Sequence, residues 1–255
     1  MAAGKNEVTR KNSGTKRSAA LFWGGKDRAS RGPKPALSVE LIVAAAVKIA
    51  DAEGLQTVSM QRVASELGFT PMSLYRYLPG KADLIDFMID TAIGEPPALD
   101  EETGGWRPKL ERWARELTGV YHRHPWMFEL AARPRLMGPN QLNWLEVAVS
   151  AFAGTGLTGA EELDAVFTVS GLVQSWNYRS SGPEPVEQDT PDDQWGSAVA
   201  EIVREHSDRY PALMAAMSSG AFDPAAGDGE EFGLRCVLDG IETLIAGRAA
   251  HSTAV

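Results

Sequence analysis

The apolar residues of this chain recur at the 3.6-residue period of an amphipathic helix in nearly every segment from Ser38 onward. No two neighbouring segments show the strict polar–apolar alternation of a strand pair. Capping residues and helix stops, such as Ser38 and Gly54 around the first segment, separate the periodic stretches. The pattern predicts an all-α fold, with helices at 39–53, 60–67, 71–78, 81–93, 106–122, 125–132, 139–152, 159–180, 192–207, 209–217 and 230–248.

The net charge of −9 is unevenly distributed along the 255 residues. Residues 1–36 carry nine basic and two acidic side chains, whereas residues 37–95 sum to −4 and residues 96–255 to −12. A basic arm in front of an acidic body indicates an anionic partner near the N-terminus. Because residues 1–36 are rich in Gly, Ser, Lys and Arg and lack apolar periodicity, we expect them to be disordered in isolation.

Residues 59–78 have the pattern with the clearest functional meaning. Ser59 can cap a short helix that ends at Gly68, and Thr70 can cap a second one that has Pro71 at its first position. Two short helices joined by a glycine-containing turn are typical of a helix-turn-helix, whose second helix enters the major groove of DNA. A helical hairpin packed inside a bundle is the alternative, because the pattern alone has a high false-positive rate.

The second of these helices has two different faces. Leu74 and Leu78 lie one turn apart and are expected to anchor it to the core. The outward face carries tyrosine and arginine instead of the Glu/Lys mixture of a solvated helix, which favours contacts with bases and phosphates. The residues expected to face DNA are Thr70, Pro71, Met72, Ser73, Tyr75, Arg76 and Tyr77, together with Lys81 at the start of the next helix.

The run GFTPMSLYRYLPGKADL, Gly68–Leu84, resembles the signature of the tetracycline-repressor family of one-component transcriptional regulators. The resemblance is strong over residues 38–93 and weaker beyond, where LDGIETLIAG, Leu238–Gly247, is similar to the final helix of the tetracycline-repressor subgroup. The resemblance implies that Tyr75, Tyr77 and Lys81 bind DNA phosphates. The reading helix would contribute Pro71, Met72, Ser73 and Arg76, and the preceding helix Gln61 and Arg62.

The family implies a homodimeric repressor that binds palindromic double-stranded DNA and releases it when a small organic effector binds. The expected organisation is a basic arm at 1–36, a three-helix helix-turn-helix DNA-binding domain at 37–94, and a helical regulatory and dimerisation domain at 105–249. The arm is longer than the usual N-terminal segment of the family. Two interpretations have equal weight: the arm contacts DNA, or it is a solvated tail without a specific role.

Two helices are candidates for the dimer interface. Gly233, Gly240 and Gly247 recur every seven residues in the last helix, which suggests that another helix approaches it closely. A helix cap at Gly247 and a frayed start at Gly233 are the alternative reading. The residues assigned to the interface are Val169, Leu172 and Trp176 on helix 159–180, and Gly233, Val237, Gly240, Ile241 and Leu244 on helix 230–248.

The effector pocket is expected to have aromatic walls and a few polar groups. Ser170, Gln174 and Asn177 form a polar row on helix 159–180, which either a ligand or ordinary interhelical hydrogen bonds could satisfy. The aromatic candidates are Phe167, near the polar row, and the tryptophans Trp113, Trp126 and Trp144. For the three tryptophans a place in the core is the simpler interpretation.

No phosphate-binding glycine loop, nucleophile elbow or zinc-ligand cluster occurs, so we predict neither an enzyme nor a cofactor or metal. Arg133–Pro134 matches the tetracycline subgroup, but no histidine precedes it within 126–132, so a metal–tetracycline complex is not expected. A single cysteine, no secretory segment and no membrane-spanning run indicate a cytoplasmic protein. A regulator without an effector and an activator remain alternatives, and the operator and target genes are open.

Overall fold

The computed structural model describes residues 22–23, 37–131, 136–180, 192–220 and 229–253. Within these ranges the chain is helical and contains no strand, so the predicted all-α fold is confirmed. The helices are α1 Val39–Glu53, α2 Met60–Leu67, α3 Pro71–Tyr75, α4 Lys81–Ile93, α5 Trp106–Arg123, α6 Phe128–Ala131, α7 Pro139–Ser150, α8 Gly159–Ser180, α9 Asp192–Glu205, α10 Pro211–Ser218 and α11 Gly229–Thr253.

The ends of α1 and α2 lie where local chemistry places them. The Ser38 hydroxyl accepts a hydrogen bond from the backbone N–H of Leu41 at 3.2 Å, and Ser59 accepts one from Arg62 at 3.1 Å. Gly68 ends α2 with φ of +73°, a left-handed conformation that glycine adopts without steric cost.

Helix α3 is shorter than predicted and ends at Tyr75 instead of Leu78. The backbone N–H groups of Tyr77 and Leu78 both donate to the carbonyl of Leu74, so the chain tightens into a turn. Pro79 disfavours the helical conformation at the residue before it, which accounts for the early end. The predicted helix 125–132 likewise divides into a 3₁₀ turn, Pro125–Met127, and the short α6.

The core runs continuously from the N-terminal helices into the C-terminal ones. Helix α1 packs against α2 and α4, and α3 packs against α2. Helix α4 then contacts α5 and α7, while α8 packs against α5, α7 and α11. Helix α4 thus joins the helix-turn-helix to the C-terminal helices, together with the contact between α1 and the 3₁₀ turn Pro125–Met127.

Candidate nucleic-acid interface

Helix α3 presents one face to the core and the other to solvent, as the sequence predicts. Leu74 and Leu78 are completely buried, whereas the side chains of Met72 and Tyr75 are 73% and 44% exposed. Arg76 is also exposed, and Tyr77 is half-buried with its ring packed against the core. Burying the two leucines fixes the helix so that its outer side chains project together.

The beginning of α3 is organised by two hydroxyl groups. Thr70 precedes Pro71, and its Oγ1 lies 3.1 Å from the Oγ of Ser73 without capping the helix backbone. The backbone N–H of Ser73 donates to the carbonyl of Thr70 at 3.0 Å. Both side chains thus sit at the positive end of the reading helix, where a phosphate or base edge is favoured.

Lys81 is the first residue of α4 and is exposed. Gly80 precedes it and offers no side chain to cap the helix. Among the described residues, no ion pair or side-chain hydrogen bond involves Tyr75, Arg76 or Lys81. An exposed cation at a helix N-terminus is a suitable site for a DNA phosphate.

Arg62 differs from the other candidates because its guanidinium is already paired. It donates to Glu53 at 2.6 Å and to Glu66 at 2.9 Å, which links the ends of α1 and α2. The hydrogen bonds to Glu53 and then Glu66 raise the pKa of Arg62 further above its ordinary value. The structure therefore gives Arg62 an internal partner on each side, whereas Gln61 is exposed beside it.

The three tryptophans predicted for the effector pocket are buried, and each indole N–H already has a protein acceptor. Trp113 donates to the carbonyl of Trp144 at 2.9 Å, Trp144 to the carbonyl of Gly94 at 3.0 Å, and Trp126 to Asp51 at 2.7 Å. The rings of Trp113 and Trp144 meet edge to face. Phe167 lies apart from them, 52% exposed on α8.

The polar row on α8 is only partly defined. Ser170 and Gln174 are half-buried, and the side chain of Asn177 lies outside the described residues. That the predicted pocket residues line one cavity stays a prediction.

A junction between α4 and α7 was missed by the sequence analysis. The Asp90 carboxylate accepts a hydrogen bond from the backbone N–H of Gln141 at 2.9 Å, and the Asp90 carbonyl accepts one from Asn140 Nδ2 at 2.8 Å. Asp90 thereby takes the place of an N-cap side chain for α7, since Gly138 at the cap position supplies none. The absence of a capping residue before Pro139 was the available sequence signal.

Burial distinguishes Asp90 from the other carboxylates described. The residue is only 6% exposed, and desolvation raises the pKa of its carboxyl group. Gly138 lies so close that a Cβ built on it would approach the Asp90 carboxylate to 2.2 Å. The neighbouring Gln141 is also buried, and its Oε1 has no hydrogen-bond partner among the described residues.

Most of the predicted dimer residues pack between α8 and α11 of one chain. Val169, Trp176 and Ile241 are buried, and a Cβ on Gly233 would meet Leu172 Cδ1 at 3.2 Å. Val237 is half-buried in the same contact. Gly240 and Leu244 lie outside it, since Gly240 faces open space and Leu244 is 61% exposed.

The exposed reading helix α3 is packed on buried neighbouring helices, and Lys81, at the N-terminus of α4, forms no ion pair among the described residues. These features define a helix-turn-helix DNA-binding protein. The chain belongs to the TetR family of bacterial transcriptional regulators, because residues 42–87 match the family model "Bacterial regulatory proteins, tetR family" and residues 96–245 match "Tetracyclin repressor-like, C-terminal domain". It is a DNA-binding transcriptional regulator and not an enzyme.

The relatives agree with this assignment over most of the chain. The repressor DrrR1 of Streptomyces coeruleorubidus is 40% identical over 92% of this chain and 88% of its own length. An HTH-type transcriptional regulator of Saccharopolyspora erythraea is 32% identical over 94% of this chain and 96% of its own. Apo ActR of Streptomyces coelicolor shares the fold, with a TM-score of 0.70 and 22% identity over 86% of this chain and 100% of its own.

Proposed function

We propose that the chain is a homodimeric repressor that leaves a palindromic operator when a small organic effector binds the C-terminal half. The observation that carries the proposal is the junction at which three hydrogen bonds connect α7 to the last turn of α4. Helix α4 begins at the phosphate-binding Lys81 and ends at Gly94, whose carbonyl accepts from Trp144. A shift of α7 would therefore be transmitted to the DNA-binding end.

The proposed DNA-binding residues lie on α2, on α3 and the residues flanking it, and at the start of α4. They are Gln61, Thr70, Pro71, Met72, Ser73, Tyr75, Arg76, Tyr77 and Lys81, with Arg62 reassigned to holding α1 and α2 together. Phosphate contacts from Tyr75, Tyr77 and Lys81 would set the register, and the other side chains would read sequence. The protein would act in the cytoplasm, because that is where a bacterial operator lies.

The effector site is proposed between α5, α7 and α8. The buried amide oxygen of Gln141 needs a hydrogen-bond donor, and an effector would supply one. Trp113 and Trp144 would form its apolar wall and Ser170 and Gln174 its polar side. ActR was solved with (S)-DNPA and with actinorhodin, so this fold accommodates organic ligands. A regulator without an effector is the second candidate, favoured by the fully satisfied indole N–H groups.

The dimer is proposed to form through the outer faces of α8 and α11. Phe167 on α8 and Phe232 and Leu244 on α11 are large apolar side chains that are more than half exposed. Gly240 lies among them with no neighbour of its own, so it permits close approach of a second copy. Val169, Leu172, Trp176, Gly233, Val237 and Ile241 would support that face from within the protomer.

The test is operator binding with and without effector. Genomic fragments bound by the purified protein would be footprinted, and ligands that raise its melting temperature would be selected from an antibiotic and metabolite panel. We expect a two-fold symmetric footprint and an affinity that falls roughly 5- to 150-fold at saturating ligand. Equal affinity with and without a bound ligand would contradict induction, and an asymmetric footprint would contradict the dimer.

A further inference from the structure

An aromatic pair from the N-terminal arm lies against the body of the protein. The ring of Phe22 stacks on Phe87 of α4 with centroids 3.9 Å apart and ring planes 7° from parallel. Trp23 follows it and is 55% exposed. The two ring faces are in van der Waals contact, so the arm has one defined contact with α4.

The pair lines one side of a groove of about 780 Å³ that crosses the junction between α4 and α7. Its apolar lining comes from Phe87 on α4, Pro96 and Pro97 in the connection, and Pro139 and Val147 on α7. The groove is also lined by three carboxylates, Glu40, Glu95 and Glu146. An apolar groove with acidic side chains suits an aromatic segment flanked by basic residues.

The arm has that composition. Lys16 and Arg17 precede the aromatic pair by five to seven positions, and Lys26 and Arg28 follow it within six. Among all 36 arm residues, Phe22 and Trp23 are the only aromatic ones. This segment of the chain therefore complements the charge and the apolar lining of the groove whose wall it joins.

We propose that Phe22 and Trp23 are an anchor that docks the basic arm in the α4–α7 groove and thereby presents its cations to operator DNA. The proposal rests on operator binding by the helix-turn-helix. Phe87 is six residues after Lys81, which is about 9 Å along a helix. Arg17 is five residues from Phe22, so its Cα lies within about 18 Å of the anchor. A phosphate bound at Lys81 would lie within this range.

Anchoring changes what the arm contributes. The cations of a free tail are distributed over a large volume. The cations of a tethered arm have a high effective concentration at the nearby phosphates. Five of the nine basic residues precede the anchor, namely Lys5, Arg10, Lys11, Lys16 and Arg17. Their contact with DNA would add to the number of counterions released on binding.

The deciding variant is F22A/W23A in the full-length protein, because it removes the anchor and keeps every charge of the arm. At about 0.1 M salt we expect roughly tenfold weaker operator binding and a salt slope smaller by about two. Deletion of residues 1–34 should have a similar effect. Without DNA, trypsin should cleave the arm of the double variant faster than that of the unmodified protein.

Two controls separate the anchor from general damage. I202A/L213A removes two exposed apolar side chains from α9 and α10 and should leave operator affinity unchanged. Phe87→Leu keeps an apolar residue in α4 and should reproduce part of the loss. Circular dichroism and melting temperature check that every variant is folded.

Three outcomes would contradict the proposal. If F22A/W23A bound as tightly as the unmodified protein while the deletion weakened binding, the arm would act as a free tail. If neither change had an effect, the arm would have no role on DNA, and operator binding itself would stand. Tighter binding by the double variant would mean that docking in the groove keeps the arm away from DNA, which also contradicts the proposal.

Discussion

The reading face and the α4–α7 junction use polar side chains in opposite ways. On the reading face Tyr75, Arg76 and Lys81 are exposed, and within the described residues their side chains make no hydrogen bond or ion pair. At the junction the Asp90 carboxylate and the Trp144 indole N–H are each hydrogen-bonded to another helix or its end. One region keeps its groups available for DNA, and the other holds two parts of the fold together.

This difference shows which region determines the affinity for DNA and which determines the arrangement of the helices. A DNA-binding side chain is useful only if phosphate or base replaces water around it, so its removal should reduce affinity and leave the fold intact. A buried capping group stabilises one arrangement of two helices, so its loss leaves unsatisfied backbone groups and lowers stability. Substitutions in the two regions should therefore have separable effects.

The largest expected effect is that of Gly138→Ala at the junction. The φ of Gly138 is −84°, which alanine adopts readily, so the backbone is not the obstacle. The new Cβ would lie 2.2 Å from Asp90 Cγ, and the carboxylate could move away only by leaving the N–H of Gln141. We expect a loss of about 2 kcal/mol in the free energy of unfolding, measured by urea denaturation.

Gly171→Ala is the matched control, because a Cβ at Gly171 in α8 meets nothing within 4 Å. It should be neutral or slightly stabilising, since alanine is the better helix former. In the Asp90→Ala background the cost of Gly138→Ala should fall by more than half, as expected for two groups in contact. An unchanged cost in that background would show that the contact with Asp90 is not the cause.

The next effect concerns the reading face. Lys81→Ala should weaken operator binding about tenfold, and the salt slope should fall by about one, because one phosphate contact is lost. The melting temperature should stay within a degree or so of the unmodified protein, since Lys81 is exposed. Fluorescence anisotropy with a labelled operator at several salt concentrations measures both quantities.

Arg204→Ala on α9 removes the same charge from an exposed position in the C-terminal half. It should change affinity much less than Lys81→Ala. An equal loss from both variants would mean that net charge, and not a contact at the start of α4, explains the effect.

The helix-turn-helix was predictable because its signals are local. Ser59, Gly68 and Pro71 each act on backbone within four residues, and the spacing of Leu74 and Leu78 identifies the buried side. The end of α3 was placed three residues too far along, because Pro79 indicates that the helix ends before it but not at which residue.

The junction could not be predicted for the opposite reason. Asp90 meets Gln141 across 51 positions, and Trp126 meets Asp51 across 75. Neither pair has a spacing rule, and an aspartate on a helix is ordinarily solvated. Arg62 shows the same limit, because the family resemblance suggests a DNA contact while the fold brings Glu53 beside it.

A smaller effect is expected from Arg62→Ala, which tests whether Arg62 acts on the fold or on DNA. Arg62 binds Glu53 and Glu66 near the surface, and ion pairs of this kind contribute little and are screened by salt. We expect a slightly lower melting temperature at low salt, little change at high salt, and unaltered operator sequence preference. Arg76→Ala should instead relax that preference, as a binding-site selection would show.

The smallest effect is the pH dependence that Asp90 gives to stability. Burial raises the pKa of its carboxyl group in the folded protein, so the folded state binds this proton more tightly than the unfolded state. The free energy of unfolding therefore falls as the pH rises from the ordinary aspartate pKa, 3.8, through the raised value, and stays lower above it.

Asp90→Asn removes this titration and keeps an oxygen that can accept from Gln141. Urea unfolding of both proteins between about pH 4 and pH 8 should show the unmodified protein losing stability relative to the variant as the pH rises. Parallel curves would show that the Asp90 carboxyl group titrates alike in the folded and unfolded states. The junction would then hold α7 by geometry alone, without the cost of a buried charge.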